Sequence, residues 1–357
     1  MTITTPITEL FGIQHPILLA GMNVASGPRL AAAVSNAGGL GVIGGLGYSP
    51  DMLREQIREI KADLKPGVTK FGVDLLLPQV GGTARKTNYD YTKGQLDELI
   101  DVIIDEGTSL FVSAVGVPTQ KVVDRLHAAK IPVMNMIGAP RHAIKALEVG
   151  VDIICAQGGE GGGHTGSIPT SILIPTVVEA VKGKKSSLTG KQVEVIAAGG
   201  IATGRGLAAA LAAGASAVWV GTRFICAEEA GAPKIHQDLV KSARFDDTVR
   251  TIIYTGRPLR IRRQAYVEDW EQNRRDLIKQ LTSQGKIPVV WELEKYEKEN
   301  KELPEIIEDN ARPYLMGEVA AIVNSIKPAK DIVDELVTEA EAVLRRATGF
   351  LSIKSKL

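Results

Sequence analysis

The stretch Val193–Phe224, VEVIAAGGIATGRGLAAALAAGASAVWVGTRF, decides the fold. Two continuous apolar runs, Val193–Gly200 and Ala215–Phe224, flank an alanine-rich helical pattern that opens at Thr203-Gly204-Arg205-Gly206 and stops at Gly214. Runs of Val, Ile and Ala without polar alternation are what parallel strands buried on both faces require. A glycine at the helix end supplies the left-handed cap. The stretch is therefore one strand–helix–strand unit.

Working outward, the same rhythm gives six more apolar runs: Pro16–Gly21, Leu40–Gly45, Phe71–Leu77, Leu110–Gly116, Pro132–Ile137 and Val151–Gln157. Amphipathic patterns separate them, such as Thr92–Gly107, where Leu96, Leu99, Ile100, Ile103 and Ile104 share a face, and Thr119–Lys130. Eight strands, the first seven each followed by a helix, predict a closed (β/α)8 TIM barrel, with an open doubly wound sheet as the runner-up. The expected division is residues 1–226 as the barrel and 227–357 as a mostly helical C-terminal segment. Its last helix, Ala329–Arg346, packs on the barrel or on a partner in a homodimer. The loop Pro78–Tyr91 is long enough to be either a lid or a surface insertion.

Composition narrows the function. The 357 residues are 44% apolar and 23% charged, with a formal net charge of +1, the balance of a soluble globular protein. Nothing in that charge favours a nucleic-acid or membrane partner. Cys155 and Cys226 form no disulfide framework, which fits a reducing compartment. The tripeptide Ser355-Lys356-Leu357 reads as a peroxisomal address recognised by an import receptor.

Chemistry concentrates at strand ends. Gln157-Gly-Gly-Glu-Gly-Gly-Gly-His164-Thr-Gly166 follows the sixth run. Its glycines let backbone approach a ligand, and His164 would project an imidazole, able to exchange protons near neutral pH, into the barrel mouth. His15, His127, His142 and His236 lie in settings that read as structural or solvated. Ala198-Gly199-Gly200-Ile201 and Gly221-Thr222-Arg223-Phe224 end the seventh and eighth runs, where barrels commonly bind phosphate. Ala20-Gly21-Met22-Asn23 ends the first, with small residues and an amide suited to a flat ring. The glycines of Gly38–Gly47 bracket a strand and so make a poor dinucleotide fingerprint. No metal-ligand motif is present, and no metal is expected.

These pieces, in this order, resemble the nitronate monooxygenase family: Pro16-Ile-Leu-Leu-Ala-Gly-Met22, Phe71-Gly-Val-Asp-Leu75, Gly161-Gly-Gly-His164, Ala198-Gly-Gly-Ile201, Gly221-Thr-Arg-Phe224 and Ile326–Val333. The resemblance implies non-covalent FMN at the barrel mouth. The ring would meet Gly21, Met22 and Asn23, with Gln157, Gly162 and Gly163 nearby. The phosphate would rest on Ala198, Gly199, Gly200, Gly221 and Thr222. It further implies that His164 is the base that deprotonates a nitroalkane, or that a nitronate binds directly, with dioxygen consumed to give a carbonyl compound and nitrite. Asp74 stands where the pattern has asparagine, Gly162 where alanine is common, and Met316-Gly317-Glu318 where many have Gly-Gln. The competing expectations are an NAD(P)H:quinone or enoyl reductase on the same FMN barrel, a phosphosugar isomerase or lyase, and a flavin-binding protein without turnover.

Overall fold

In the computed structural model, which describes residues 3–351, the eight runs form eight parallel strands. They are Ile17–Leu19, Gly41–Gly45, Phe71–Leu76, Leu110–Ala114, Val133–Ile137, Ile153–Gln157, Glu194–Ala198 and Ala217–Val220. Each pairs in parallel with its sequence neighbour from the second to the eighth, and the eighth pairs with the first. The last gap closes where the Leu19 amide donates to Leu40 O and the Leu40 amide to Ile17 O, both at 2.9 Å. The open sheet is thereby excluded, and the fold is a TIM barrel. Ser355-Lys356-Leu357 lies outside the described residues.

Strand alternation sorts the core into two shells. Leu18, Val42, Val112, Met134, Cys155 and Ile196 point inward and fill the barrel. The short helix Pro6–Phe11 inserts Ile7 and Phe11 into the same cluster and plugs the N-terminal end. Outward residues such as Ile17, Val73, Phe111 and Val218 pack on the helices. Each fully buried Ile or Leu contributes about 1.5–3 kcal/mol.

Local chemistry sets the helix starts. Ser49 caps Pro50–Asp63 and Thr119 caps Gln120–Ala128, each side-chain oxygen accepting an amide of the first turn. Thr203 does the same for Gly204–Ala212, which explains the Thr-Gly-Arg-Gly opening.

Two features differ from the sequence reading. The eighth strand stops at Val220, and Thr222–Ile225 is a single helical turn, with the Phe224 amide donating to Gly221 O at 2.8 Å. That turn is too short to cover the barrel, and the vacant place in the ring is taken by the C-terminal helix Ala329–Thr348, which packs on Gly204–Ala212 and on Pro28–Asn36. The region after residue 226 is also not helical throughout. Thr248–Thr251 and Leu259–Arg262 form an antiparallel hairpin, and Leu259–Arg262 also pairs with the two-residue strand Gly163–His164.

The C-terminal helix comes close enough that a Cβ on Gly204 would lie 2.5 Å from both Ala340 N and Leu336 O. Both are backbone atoms that cannot rotate away. Gly204→Ala is expected to cost about 1–3 kcal/mol through forced separation of the two helices. In urea this appears as a lower midpoint with an unchanged slope; an unchanged midpoint would mean the contact is not held.

Candidate active site

The glycine-rich segment after the sixth strand is built around Gln157. Its side-chain amide donates to His164 O at 2.8 Å and Gly162 O at 3.4 Å, drawing the segment back over the strand end. A Cβ on Gly161 would lie 2.6 Å from that amide nitrogen, and one on Gly162 would lie 2.7 Å from Gly317 N. The alanine common at Gly162 in the family pattern is therefore excluded here by the Met316–Gly317 backbone.

His164 is fixed from two sides. Its backbone pairs opposite Leu259, and its Nε2 lies 3.1 Å from Thr255 Oγ1. The Thr255 hydroxyl donates to Arg257 O at 3.2 Å and accepts the Arg257 amide at 3.3 Å. With the Thr255 proton directed to Arg257 O, Thr255 would accept from His164 Nε2 and leave the imidazole lone pair on Nδ1; the donor and acceptor roles follow the tautomer. Burial, reinforced by the Arg257 charge, pushes the His164 pKa down to about 4. The ring is therefore neutral at physiological pH and able to accept a proton.

Arg257 is partly buried and forms no ion pair among the described residues. Its Nε donates to Asn88 Oδ1 and its Nη1 to Val115 O, both at 2.9 Å. Asn88 belongs to the Pro78–Tyr91 loop, and Val115, just past the fourth strand, has a left-handed φ of 69°. The loop is seated on the same turn: a Cβ on Gly256 would lie 2.1 Å from Thr87 Oγ1, and Arg85 donates to Gly256 O. The long insertion thus lies against the turn that holds His164.

The other strand ends converge on the mouth. A Cβ on Gly44 would lie 2.5 Å from Gly21 Cα, and one on Gly221 would lie 3.4 Å from both Met22 Sδ and Ala20 Cβ. Gly21–Met22 therefore bridges from the second strand to the eighth, with Asn23 exposed beyond it at φ 46°. Gly199 and Gly200 have φ of 85° and 73° and follow Ala198 directly. Thr222 accepts the Gly317 amide at 2.9 Å, which joins the eighth-strand turn to the Met316-Gly317-Glu318 segment. Glu160, beside Gly200, is held by the Thr170 amide and hydroxyl. Arg260 donates to Gly159 O and pairs with Glu318 at 2.9 Å.

This arrangement fits a flavin mononucleotide. Gly200 is exposed at its turn, where a Cβ would lie 3.5 Å from Glu160 Cβ, and Gly21 passes so close over Asp74 that only a glycine fits there. Inside the barrel below Gly21, Asp74 is 3% exposed and its Oδ1 makes no hydrogen bond. The other histidines are elsewhere: His127 pairs with Asp152 at 2.8 Å, and His236 bonds Leu315 O at 2.9 Å.

Sequence reasoning missed Thr255, Arg257 and Asn88. The only signal was the unexplained length of the Pro78–Tyr91 loop, since Arg257 sits in a region read as helical.

The family model for nitronate monooxygenase matches residues 4–339. The chain is 38% identical over 276 residues, 77% of this chain and 70% of the relative, to a Mycobacterium tuberculosis protein. That protein is named (3aS,4S,5R,7aS)-5-hydroxy-7a-methyl-1-oxo-octahydro-1H-indene-4-carboxyl-CoA dehydrogenase. Among solved structures it is similar to FabK from Thermotoga maritima, with a TM-score of 0.77, 30% identity, and coverage of 98% of this chain and 100% of that one. It is also similar to nitroalkane oxidase from Streptomyces ansochromogenes, with a TM-score of 0.76, 26% identity, and coverage of 96% and 99%.

Proposed function

The chain belongs to the nitronate monooxygenase family, and from that premise we propose that it oxidises alkyl nitronates and nitroalkanes to carbonyl compounds and nitrite, with FMN and dioxygen. It is a flavin-dependent oxidoreductase; the finer reading is carried by the neutral His164 imidazole held by Thr255, within the field of Arg257, which forms no ion pair among the described residues.

In this reading Gly21, Met22 and Asn23 back the ring, and Ala198, Gly199, Gly200, Gly221 and Thr222 hold the phosphate. Bound FMN supplies the electron acceptor and the path to dioxygen. The protein's own residues do the rest. Nδ1 of His164 takes the proton from the carbon next to the nitro group, while Thr255 keeps Nε2 protonated and the ring oriented. The Arg257 guanidinium attracts the negative charge that develops on the nitro oxygens. Gln157 fixes the backbone on which the imidazole is mounted.

A second reading is oxidoreduction of a coenzyme A thioester, favoured by the relative named as a carboxyl-CoA dehydrogenase. A carbon acid beside a thioester carbonyl makes the same demand on His164.

Anaerobic titration of the FMN-loaded protein with propyl-nitronate, and separately with NADH and NADPH, tests the first reading. Nitronate is expected to bleach the oxidised flavin absorbance. Bleaching by a nicotinamide nucleotide and not by nitronate would overturn nitronate oxidation in favour of a reductase.

A further inference from the structure

The helix Thr170–Val181 follows the glycine-rich segment, and its own sequence gives it no cap. The N-cap residue is Pro169, which has no side-chain group to receive a first-turn amide. The missing acceptor comes from ten residues upstream: the Thr170 amide donates to both carboxylate oxygens of Glu160, at 3.1 and 3.0 Å. A carboxylate in that place also meets the partial positive pole of the helix.

The contact extends past the helix to the turn after the seventh strand. The Thr170 hydroxyl donates to Glu160 Oε2 at 2.8 Å and to Gly199 O at 3.0 Å, one proton shared between two acceptors. The junction is closely packed. A Cβ on Gly158 would lie 2.0 Å from Thr170 Oγ1, and one on Gly199 would lie 2.8 Å from Gly158 O. The Glu160 backbone adds another tie, because its carbonyl accepts the Glu318 amide at 3.0 Å. Arg260, which donates to Gly159 O, lies within the field of the Glu160 charge. The carboxylate is therefore met by a helix pole, a hydroxyl and a cation.

The Gly199–Gly200 turn needs such a tether. Its φ values of 85° and 73° are one choice among the many open to two adjacent glycines, so contacts from outside the turn must select it. We propose that Glu160 is a positioning residue: through Thr170 it holds the Gly199–Gly200 turn in the conformation that receives the phosphate of FMN. The inference rests on the placing of that phosphate at this turn, and it gives Glu160 no contact with the substrate or the flavin ring.

Fluorescence titration of the full-length, flavin-free protein with FMN and, separately, with riboflavin tests this, because riboflavin lacks only the phosphate. Glu160→Ala is expected to weaken FMN binding by about ten- to a hundredfold, the scale of a lost charge-assisted hydrogen bond, and to leave riboflavin binding unchanged. Thr170→Val removes the hydroxyl and keeps the helix amide, and it should also weaken FMN selectively. The double variant should fall short of the product of the two single effects, since both break one chain of contacts. Glu160→Gln keeps an oxygen for the Thr170 amide and should recover part of the affinity. Equal weakening of FMN and riboflavin would make Glu160 a general support of the fold, and unchanged or tighter FMN binding would show that its charge merely opposes the phosphate. Either result overturns the proposal. A natural protein that binds both flavins alike would instead overturn the phosphate placement, and the role of Glu160 with it.

Discussion

Replacing His164 with alanine is expected to lower turnover of a neutral nitroalkane by about 100- to 10,000-fold, the contribution of a positioned general base. Oxidation of the preformed nitronate is expected to change far less, since that substrate has already lost its proton. The pH profile carries the physical detail. An imidazole accepts a proton only below saturation, so kcat/KM for the neutral substrate should fall as pH drops through the His164 pKa. Burial and then the Arg257 charge put that pKa at about 4, against 6.5 for a free histidine. The acid limb should therefore lie near pH 4. Arg257→Ala removes the second of those causes, so the limb should move to higher pH while turnover falls through loss of the cation. A wild-type limb near pH 6.5 would show that water reaches the imidazole freely. Equal loss with nitroalkane and nitronate in His164→Ala would show that the ring supports the site without acting as its base.

The barrel and half of this site were legible because they depend on short-range pattern. Strands buried on both faces are mostly continuously apolar, so Ile17–Leu19 and Ala217–Val220 announced themselves. Glycine turns after Ala198 and Val220 sit where any barrel of this kind opens. His164 was legible because a histidine within a glycine run has no packing role to account for it. Its partners were hidden for the opposite reason. Thr255 and Arg257 follow His164 by about ninety residues, on a turn between strands of four residues each, and Arg250, Arg260 and Arg262 in those strands break any apolar signature. The eighth strand was overextended because Phe224 and Ile225 are as apolar as Val218–Val220. What ends the strand is the Gly221 backbone, not a change in polarity. The helix Ala329–Thr348 was recognised, but its place in the ring depends on the close backbone contact at Gly204, which pattern alone does not reveal.

Asp74 was visible in the sequence only as a departure from asparagine, and its environment gives that departure a measurable consequence. The carboxyl is on the third strand, inside the barrel and under Gly21, where a Cβ would lie 2.5 Å from Asp74 Oδ2. Burial alone raises its pKa from 3.8 to about 8. The titratable groups that respond to it offer no positive charge: burial and then Asp74 raise the Tyr48 hydroxyl to about 12, and the same two causes push up the Cys155 thiol. The folded protein thus holds Asp74 protonated at neutral pH, whereas the unfolded chain ionises it above about pH 4. The folded state binds the extra proton, so stability is fully present below pH 4 and is lost as pH rises toward 8. Each pH unit in that window is worth about 1.4 kcal/mol, on the order of 5 kcal/mol in all. Asp74→Asn keeps the shape and removes the titration. Its unfolding free energy should therefore vary less between pH 4 and 8 than that of the natural protein, with the variant gaining most at pH 8. Denaturation series at several pH values distinguish the cases, because parallel curves for the two proteins would mean that Asp74 ionises in the folded barrel as readily as in the unfolded chain.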